Sequence, residues 1–391
     1  MPSDPYQPRP EDRFTVGLWC TAHRGREVFG GEVRPPLDPI DNIRMLAELG
    51  AWGFNFHDDD LVPFGSSASE TDRILRETKR VMDETGLVNS MVTCNMFEQP
   101  VFRDGALTSA DARIRAYARQ KGMRAIDMGA QLGASVYVMW GGREGLEVEA
   151  SRDPVDTLKW YREGIEFLAS YIKENGYGMR VAIEPKPNEP RGDMFLPSAG
   201  HVLGFIATLD PRVRDIVGVN PEIQHARMIN LNVVHELAQC IEAGKLFHCD
   251  LGAQKATRFD QDLRFGAEDL KETFFIVKLF EDQAWDGPKA FDVKPYRTDT
   301  PADIPDLVRG CIRSYLILRE KARQYDEDAE IQEALAAVRV DDPQLEDMSR
   351  WSADHAAALR DRSFDLDALA ERQVAYQRLD QLVFDLLTGV R

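Results

Sequence analysis

Short apolar runs alternate with longer amphipathic stretches along most of the chain. The runs FTVGLW, WGFNFH, VNSMVTCN, SVYVMW, VAIEPK, IVGVNPE, KLFHCD and FDVK are rich in β-branched and aromatic residues, and several are apolar at consecutive positions. That pattern predicts parallel strands buried on both faces, because a sheet with one wet face would alternate apolar and polar residues. The stretches between them carry apolar residues at helical spacing. Three open alike, at Asp38-Pro39, Asp153-Pro154 and Thr300-Pro301. A capping side chain followed by proline favours a helix start: the side chain binds free N–H groups, and the proline ring presets φ. Gly50, Gly86, Gly133 and Gly176 stand where helices should close. Eight such units predict an α/β fold, a (β/α)8 TIM barrel over residues 1–326. Residues 327–391 are helical and acidic, with too little apolar surface for a core. They predict a C-terminal helical arm that wraps a neighbouring subunit.

A barrel of this kind carries its chemistry at the C-terminal ends of its strands. Those ends read Trp19, His57, Thr93, Trp140, Glu184 with Lys186, Glu222, Asp250, and Asp292 with Lys294. Four are acids, each closing an apolar run. A buried carboxylate is costly without a partner. If the four converge, each like-charge pair costs ~4 kcal/mol at 4 Å and an effective dielectric near 20. A bound divalent cation resolves that conflict. Glu184, Glu222, Asp250 and Asp292 are therefore candidate ligands of one ion, in an all-oxygen site suited to a hard cation. Glu222 and His225, three apart, together with Asp260 and Asp262, offer a second site. One imidazole with three carboxylates and no thiolate suits Mg, Mn or Co. Glu222 would bridge the two ions.

His57 is followed by Asp58-Asp59-Asp60. An imidazole held by a carboxylate is suited to moving protons near neutral pH. Trp19, Phe97 and Trp140 supply flat apolar walls of the kind that stack on the C–H faces of sugars. Lys186, two residues after Glu184, can hold a substrate oxygen beside the carboxylates.

The net charge of −18 argues against a nucleic-acid partner. No apolar run reaches the ~18 residues of a membrane span, and the first residues show no secretory signal. Five cysteines without metal-ligand or redox spacing suit a reducing cytoplasm.

The strings GLW at Trp19, NFHDDDLVPFG, MWGGREG, IEPKPNEPRGD, NPEIQH, HCDLGAQ, RFDQDLRFG and FDVKPYRTD together resemble xylose (glucose) isomerase of the actinobacterial type, from about residue 13 to the C-terminus. The resemblance implies a homotetramer of barrels that interconverts D-xylose and D-xylulose, and D-glucose and D-fructose, with two divalent ions per subunit (Mg2+, with Mn2+ or Co2+ as substitutes). It makes Glu184, Glu222, Asp250 and Asp292 ligands of the structural ion, and Glu222, His225, Asp260 and Asp262 ligands of the catalytic ion. His57, steered by Asp60, would assist ring opening, and Lys186 would contact sugar O1. Trp19, Phe97, Trp140 and Thr93 would line the substrate site, with Phe29 reaching in from a neighbouring subunit. Hydride would pass from C2 to C1. A related barrel isomerase or epimerase with another sugar preference is the alternative. The chain departs from the pattern at His23, where a tryptophan is usual, and at Ala290, Gly252 and Tyr296, where histidine, asparagine and proline are usual. Ile223-Gln224 fills a spacer that is normally smaller. His23 would make the pocket rim more polar and roomier.

Overall fold

The computed structural model describes residues 5–391. Eight strands form one parallel sheet: β1 (Phe14–Gly17), β2 (Gly53–His57), β3 (Val88–Thr93), β4 (Val136–Trp140), β5 (Arg180–Glu184), β6 (Val217–Val219), β7 (Asp250–Leu251) and β8 (Lys289–Phe291). Their order is β6-β5-β4-β3-β2-β1-β8-β7. The two edge strands meet through parallel bridges at Val219–Leu246 and Glu222–Asp250, so the ring closes as a TIM barrel. Val219 N donates to Lys245 O (2.8 Å), and Phe247 N donates back to Val219 O (3.1 Å). Because every pairing is parallel, all eight C-terminal ends share one rim.

The strands are buried on both faces, as their continuous apolar runs require. Met91, Val136, Val138, Ala182 and Phe247 fill the barrel, and Trp19 packs on them from the rim. Helices cover the outside. Asp38 caps the helix Pro39–Glu48 by accepting from Ile40 N and Asp41 N. Asp153 caps Pro154–Glu174 in the same way through Val155 N and Asp156 N. The third proline signal forms a turn instead, and its helix begins at Ile304. There the Asp303 carboxylate accepts from both Thr300 N and Thr300 Oγ1, each at 2.7 Å. Thr300 is thereby committed to a local turn.

The strand-end residues sit slightly differently from the sequence pattern. Trp19 lies on a helical turn, Leu18–Thr21, just beyond β1. Its indole folds back over Gly17, where a Cβ would lie 2.5 Å from the ring, so only glycine leaves room. Glu184 and His57 end their strands. Glu222 and Asp292 follow theirs, and Asp250 begins β7.

The chain divides into two compact units, residues 1–318 and 319–391. In the second, the helices Ala329–Val338 and Tyr376–Thr388 are joined by Arg378 and Arg391, which bind Glu330 at 2.9 and 2.6 Å. Trp351 and Leu366 in this unit are 87% and 72% exposed. Among the described residues no helix is long and apolar enough to cross a membrane.

The Asp38 cap gives a direct check on the outer helices. Asp38→Ala should lower the unfolding free energy by about 1 kcal/mol, read from chemical denaturation at neutral pH, with the far-UV spectrum unchanged.

Candidate metal centre

One cavity of about 180 Å³ opens at the C-terminal rim of the barrel. Trp19, His57, Thr93, Phe97, Trp140, Glu184, Lys186, Glu222, His225, Asp250, Asp260, Asp262 and Asp292 all line it, together with Met91 and Val138. Of the residues given a role in metal binding, substrate binding or catalysis, Asp60 and Phe29 do not. Asp60 stands behind His57. Phe29 is fully exposed, away from this chain's own cavity.

The wall nearest β5 to β8 is acidic. Asn220 ties two of its carboxylates together, donating from Nδ2 to Glu184 Oε2 (2.9 Å) and Asp250 Oδ2 (2.6 Å). Trp19 Nε1 donates to Asp292 Oδ1 (2.9 Å). His225 Nδ1 faces the Pro185 carbonyl at 2.9 Å. A proton on Nδ1 satisfies that carbonyl, and in the neutral ring Nε2 then presents a lone pair. Nε2 lies 3.1 Å from Glu222 Oε2 and 3.2 Å from Asp260 Oδ2. Two triplets of ligand atoms lie close enough to share an ion: Glu184, Glu222 and His225, and Glu222, Asp260 and Asp262. Glu222 belongs to both.

Asp260 and Asp262 come from the loop after β7, which several bonds hold against the rim. Gln254 Nε2 donates to Phe259 O (2.7 Å), and Gln254 Oε1 accepts from Gln261 N (2.8 Å). Glu189 accepts from Asp260 N (3.0 Å). Lys294 Nζ reaches Asp262 Oδ2 and Asp260 O, each at 3.1 Å. Lys186 Nζ donates to Asp260 Oδ2 (2.7 Å) and lies 5.1 Å from the Trp140 ring centroid.

Burial raises the carboxyl of Glu184, and the nearby Asp250 and Asp292 push it further. Glu222 is raised by burial and by Asp260, Asp292, Asp262 and Glu184. Burial and Asp250 push Asp292 up to about 6, against the Trp19 hydrogen bond. Asp260 goes the other way: burial opposes its charge, but Lys186 and His225 outweigh it and hold the carboxyl well below the usual range. On this wall Glu222 Oε1, Asp250 Oδ1 and Asp260 Oδ1 are buried without a hydrogen bond, His248 Nε2 lying 3.4 Å from the Asp250 oxygen. Unsatisfied hard-oxygen donors crowded beside one imidazole are what a divalent cation would satisfy. The residues present therefore fit such ions.

The opposite wall is aromatic and carries the proton-handling pair. Trp19, His57, Phe97 and Trp140 stand edge to face in sequence, with ring centroids 4.5, 5.7 and 4.4 Å apart. His57 ends β2 and opens the short helix Asp58–Leu61, so Asp60 folds back onto it. Asp60 Oδ2 accepts from His57 N (2.6 Å) and faces Nδ1 at 3.1 Å. Burial disfavours a charged His57, but the charge and hydrogen bond of Asp60 prevail and raise its pKa. The other two aspartates turn away: Asp58 and Asp59 both bind the buried Lys121.

Sequence reasoning missed Asn220 and Lys121, and read Gln224 only as part of an enlarged spacer. Asn220 lies two residues before Glu222 in the motif NPE, a signal that was present but unread. Lys121 sits mid-helix and has no local mark. His23 does not line the cavity: its Nδ1 accepts from Gly25 N (3.2 Å), and burial with the nearby Lys294 and Arg34 charges lowers its pKa to about 4. It is a neutral imidazole outside the lining of this cavity.

A closed parallel barrel with an acidic cavity at its rim defines the class. The chain belongs to the family described as xylose isomerase-like TIM barrel, whose profile matches residues 43–315. A xylose isomerase of Thermus thermophilus is 49% identical over 387 residues, covering 99% of this chain and all of that protein. One of Thermus caldophilus is 48% identical over the same span. Among solved structures, an L-ribulose 3-epimerase aligns with a TM-score of 0.59 at 16% identity, covering 81% of this chain and 97% of that one. D-psicose 3-epimerase of Clostridium cellulolyticum H10 aligns with a TM-score of 0.54 at 13% identity, covering 81% and 98%. These two share the fold.

Two measurements test the geometry. Asp60→Asn removes the charge that raises His57, so the His57 pKa should fall below its wild-type value when followed by imidazole NMR; an unchanged titration would detach Asp60 from that role. Glu222→Gln alters a ligand common to both triplets, so Mn2+ titration of chelator-treated protein should show weakened binding at both positions rather than one.

Proposed function

We propose that the chain is a two-metal aldose–ketose isomerase that interconverts D-xylose and D-xylulose, and D-glucose and D-fructose. The observation that carries this reading is Glu222, shared by two ligand triplets in a cavity whose other wall holds the His57–Asp60 pair among aromatic rings. The full-length similarity to xylose isomerases supports it. In this reading Glu184, Glu222, Asp250 and Asp292 hold one ion, and Glu222, His225, Asp260 and Asp262 hold the other. Mg2+ suits this donor set, with Mn2+ or Co2+ as substitutes. When bound, such ions polarise neighbouring oxygens of an open-chain sugar, which lowers the barrier to hydride movement between adjacent carbons.

The protein's own groups then divide the work. His57 keeps Nδ1 against Asp60, which leaves Nε2 to exchange a proton with the ring oxygen as the sugar opens. Lys186 donates to sugar O1; its ammonium is already held at the acidic wall by Asp260. Trp19, Phe97 and Trp140 pack on the sugar's C–H faces and exclude water, and Thr93 completes the lining. Water exclusion protects the migrating hydride and strengthens every charge in the site.

The wider assembly follows the same reading. The exposed Phe29 would complete a neighbouring subunit's site, and the helical unit beyond the barrel would wrap its neighbour in a homotetramer. Its exposed Trp351 and Leu366 support that role. The five cysteines are free and buried, which supports a cytoplasmic setting. The motif strings support the actinobacterial pattern.

The epimerases that share the fold give the alternative, a barrel enzyme that moves a proton instead of a hydride. D-xylose deuterated at C2 separates the two. The xylulose formed should keep its deuterium, now at C1, when analysed by mass spectrometry. Washout into solvent would replace the hydride-shift reading with proton abstraction.

A further inference from the structure

Gln224 stands between Glu222 and His225, on the first turn of the helix Ile223–Met228, and is fully buried. Its Nε2 donates to the Asp292 backbone oxygen at 2.6 Å. The same amide presses on Gly252, two residues beyond Asp250. A Cβ at Gly252 would lie 2.1 Å from Gln224 Nε2 and 2.7 Å from the Asp292 oxygen. Gly252 does not have the positive φ that favours glycine, so the constraint is one of space. A side chain at 252 would meet both this amide and the Asp292 carbonyl, so one of them would have to move. The departures from the family pattern at 224 and 252 thus fill a single volume.

The Asp292 peptide is held from both sides. Its N–H donates to Leu251 O (3.1 Å), and its carbonyl takes the Gln224 amide. In front, Trp19 holds the carboxylate. One side chain thereby links the segment carrying Glu222 and His225 to the backbone that presents Asp292, against the segment that follows Asp250.

We infer that Gln224 is a positioning residue for the acidic wall, fixing the Asp292 main chain relative to Glu222 and Asp250, and that Gly252 is glycine to make room for its amide and for the carbonyl it binds. The inference rests on the cavity being a divalent-cation site. Misplacing a carboxylate through the group that orients it weakens metal affinity by about tenfold or more.

The test uses the full chain, stripped of metal by chelation and titrated with Mn2+. Gln224→Met keeps the length and loses the donor; its Mn2+ Kd should rise about tenfold. Gly252→Asn alone should lower the thermal midpoint of the metal-free protein, because the new side chain meets the amide. Gln224→Ala with Gly252→Asn should regain part of that midpoint, since it relieves the contact with the amide and leaves only the one with the Asp292 carbonyl. An unchanged Kd in Gln224→Met overturns the positioning role, and a tolerated Gly252→Asn overturns the shared volume. Should the wild-type chain itself bind no Mn2+, the cation-site reading falls, while the thermal coupling of positions 224 and 252 still decides whether they compete for one space.

Discussion

The convergence of buried carboxylates is the constraint around which this molecule is arranged. Glu184, Glu222, Asp250, Asp260, Asp262 and Asp292 face one cavity, with Lys186, Lys294 and His225 as the basic groups among them. In a buried site each carboxylate loses hydration, and each neighbouring one raises the cost of ionising it. The surrounding groups reflect that cost. Asn220 spends both contacts of its amide nitrogen on two carboxylates, Trp19 gives its indole N–H to a third, and Lys186 is drawn to Asp260. What these donors leave unsatisfied is concentrated on Glu222, Asp250 and Asp260. The site is therefore organised to receive positive charge in addition to what the chain supplies.

The barrel makes such an arrangement possible because its parallel strands deliver their ends to one rim. Glu184 ends β5, Asp250 opens the two-residue β7, Asp292 directly follows β8, and Glu222 lies in the short connection after β6. The other two come from a loop, which would ordinarily be the less rigid source. Here the loop is tied down by Gln254 internally and by Glu189 and Lys294 from neighbouring segments. Asp262 itself adopts a positive φ of 47°, a conformation a non-glycine residue keeps only where its surroundings hold it.

How far the sequence revealed this depended on the range of each contact. Strand ends are periodic features, so the acids at β5, β6, β7 and β8 stood out from apolar runs alone. The His57–Asp60 pairing was legible because three residues span one helical turn, although the choice of Asp60 over Asp58 and Asp59 needed the motif. Asp58 and Asp59 are drawn to Lys121, which is 63 and 62 positions away in sequence, and no local pattern marks such a partner. The same holds for Gln224 and Gly252, which read as separate oddities until the fold places them against each other. The Thr300-Pro301 signal misled because a helix cap and a local turn compete for the same side chains, and Asp303 settles that competition in favour of the turn.

Fold alone leaves the chemistry open, since solved epimerases share this barrel at 13% and 16% identity. The two walls of the cavity narrow it. A proton-abstracting enzyme needs a base of suitable pKa close to the carbon that reacts. On the acidic wall, burial and crowding raise the carboxyls of Glu184 and Glu222, while Asp260, held well below the usual range, is engaged by Lys186 and His225. On the aromatic wall the basic group is His57, whose Nδ1 is occupied by Asp60. That leaves Nε2 as the exchangeable nitrogen on this wall, suited to transfer to and from an oxygen. Charge gathered on one side and apolar rings on the other make a strongly polarising site shielded from water, the setting in which the proposed hydride shift would stay within the substrate.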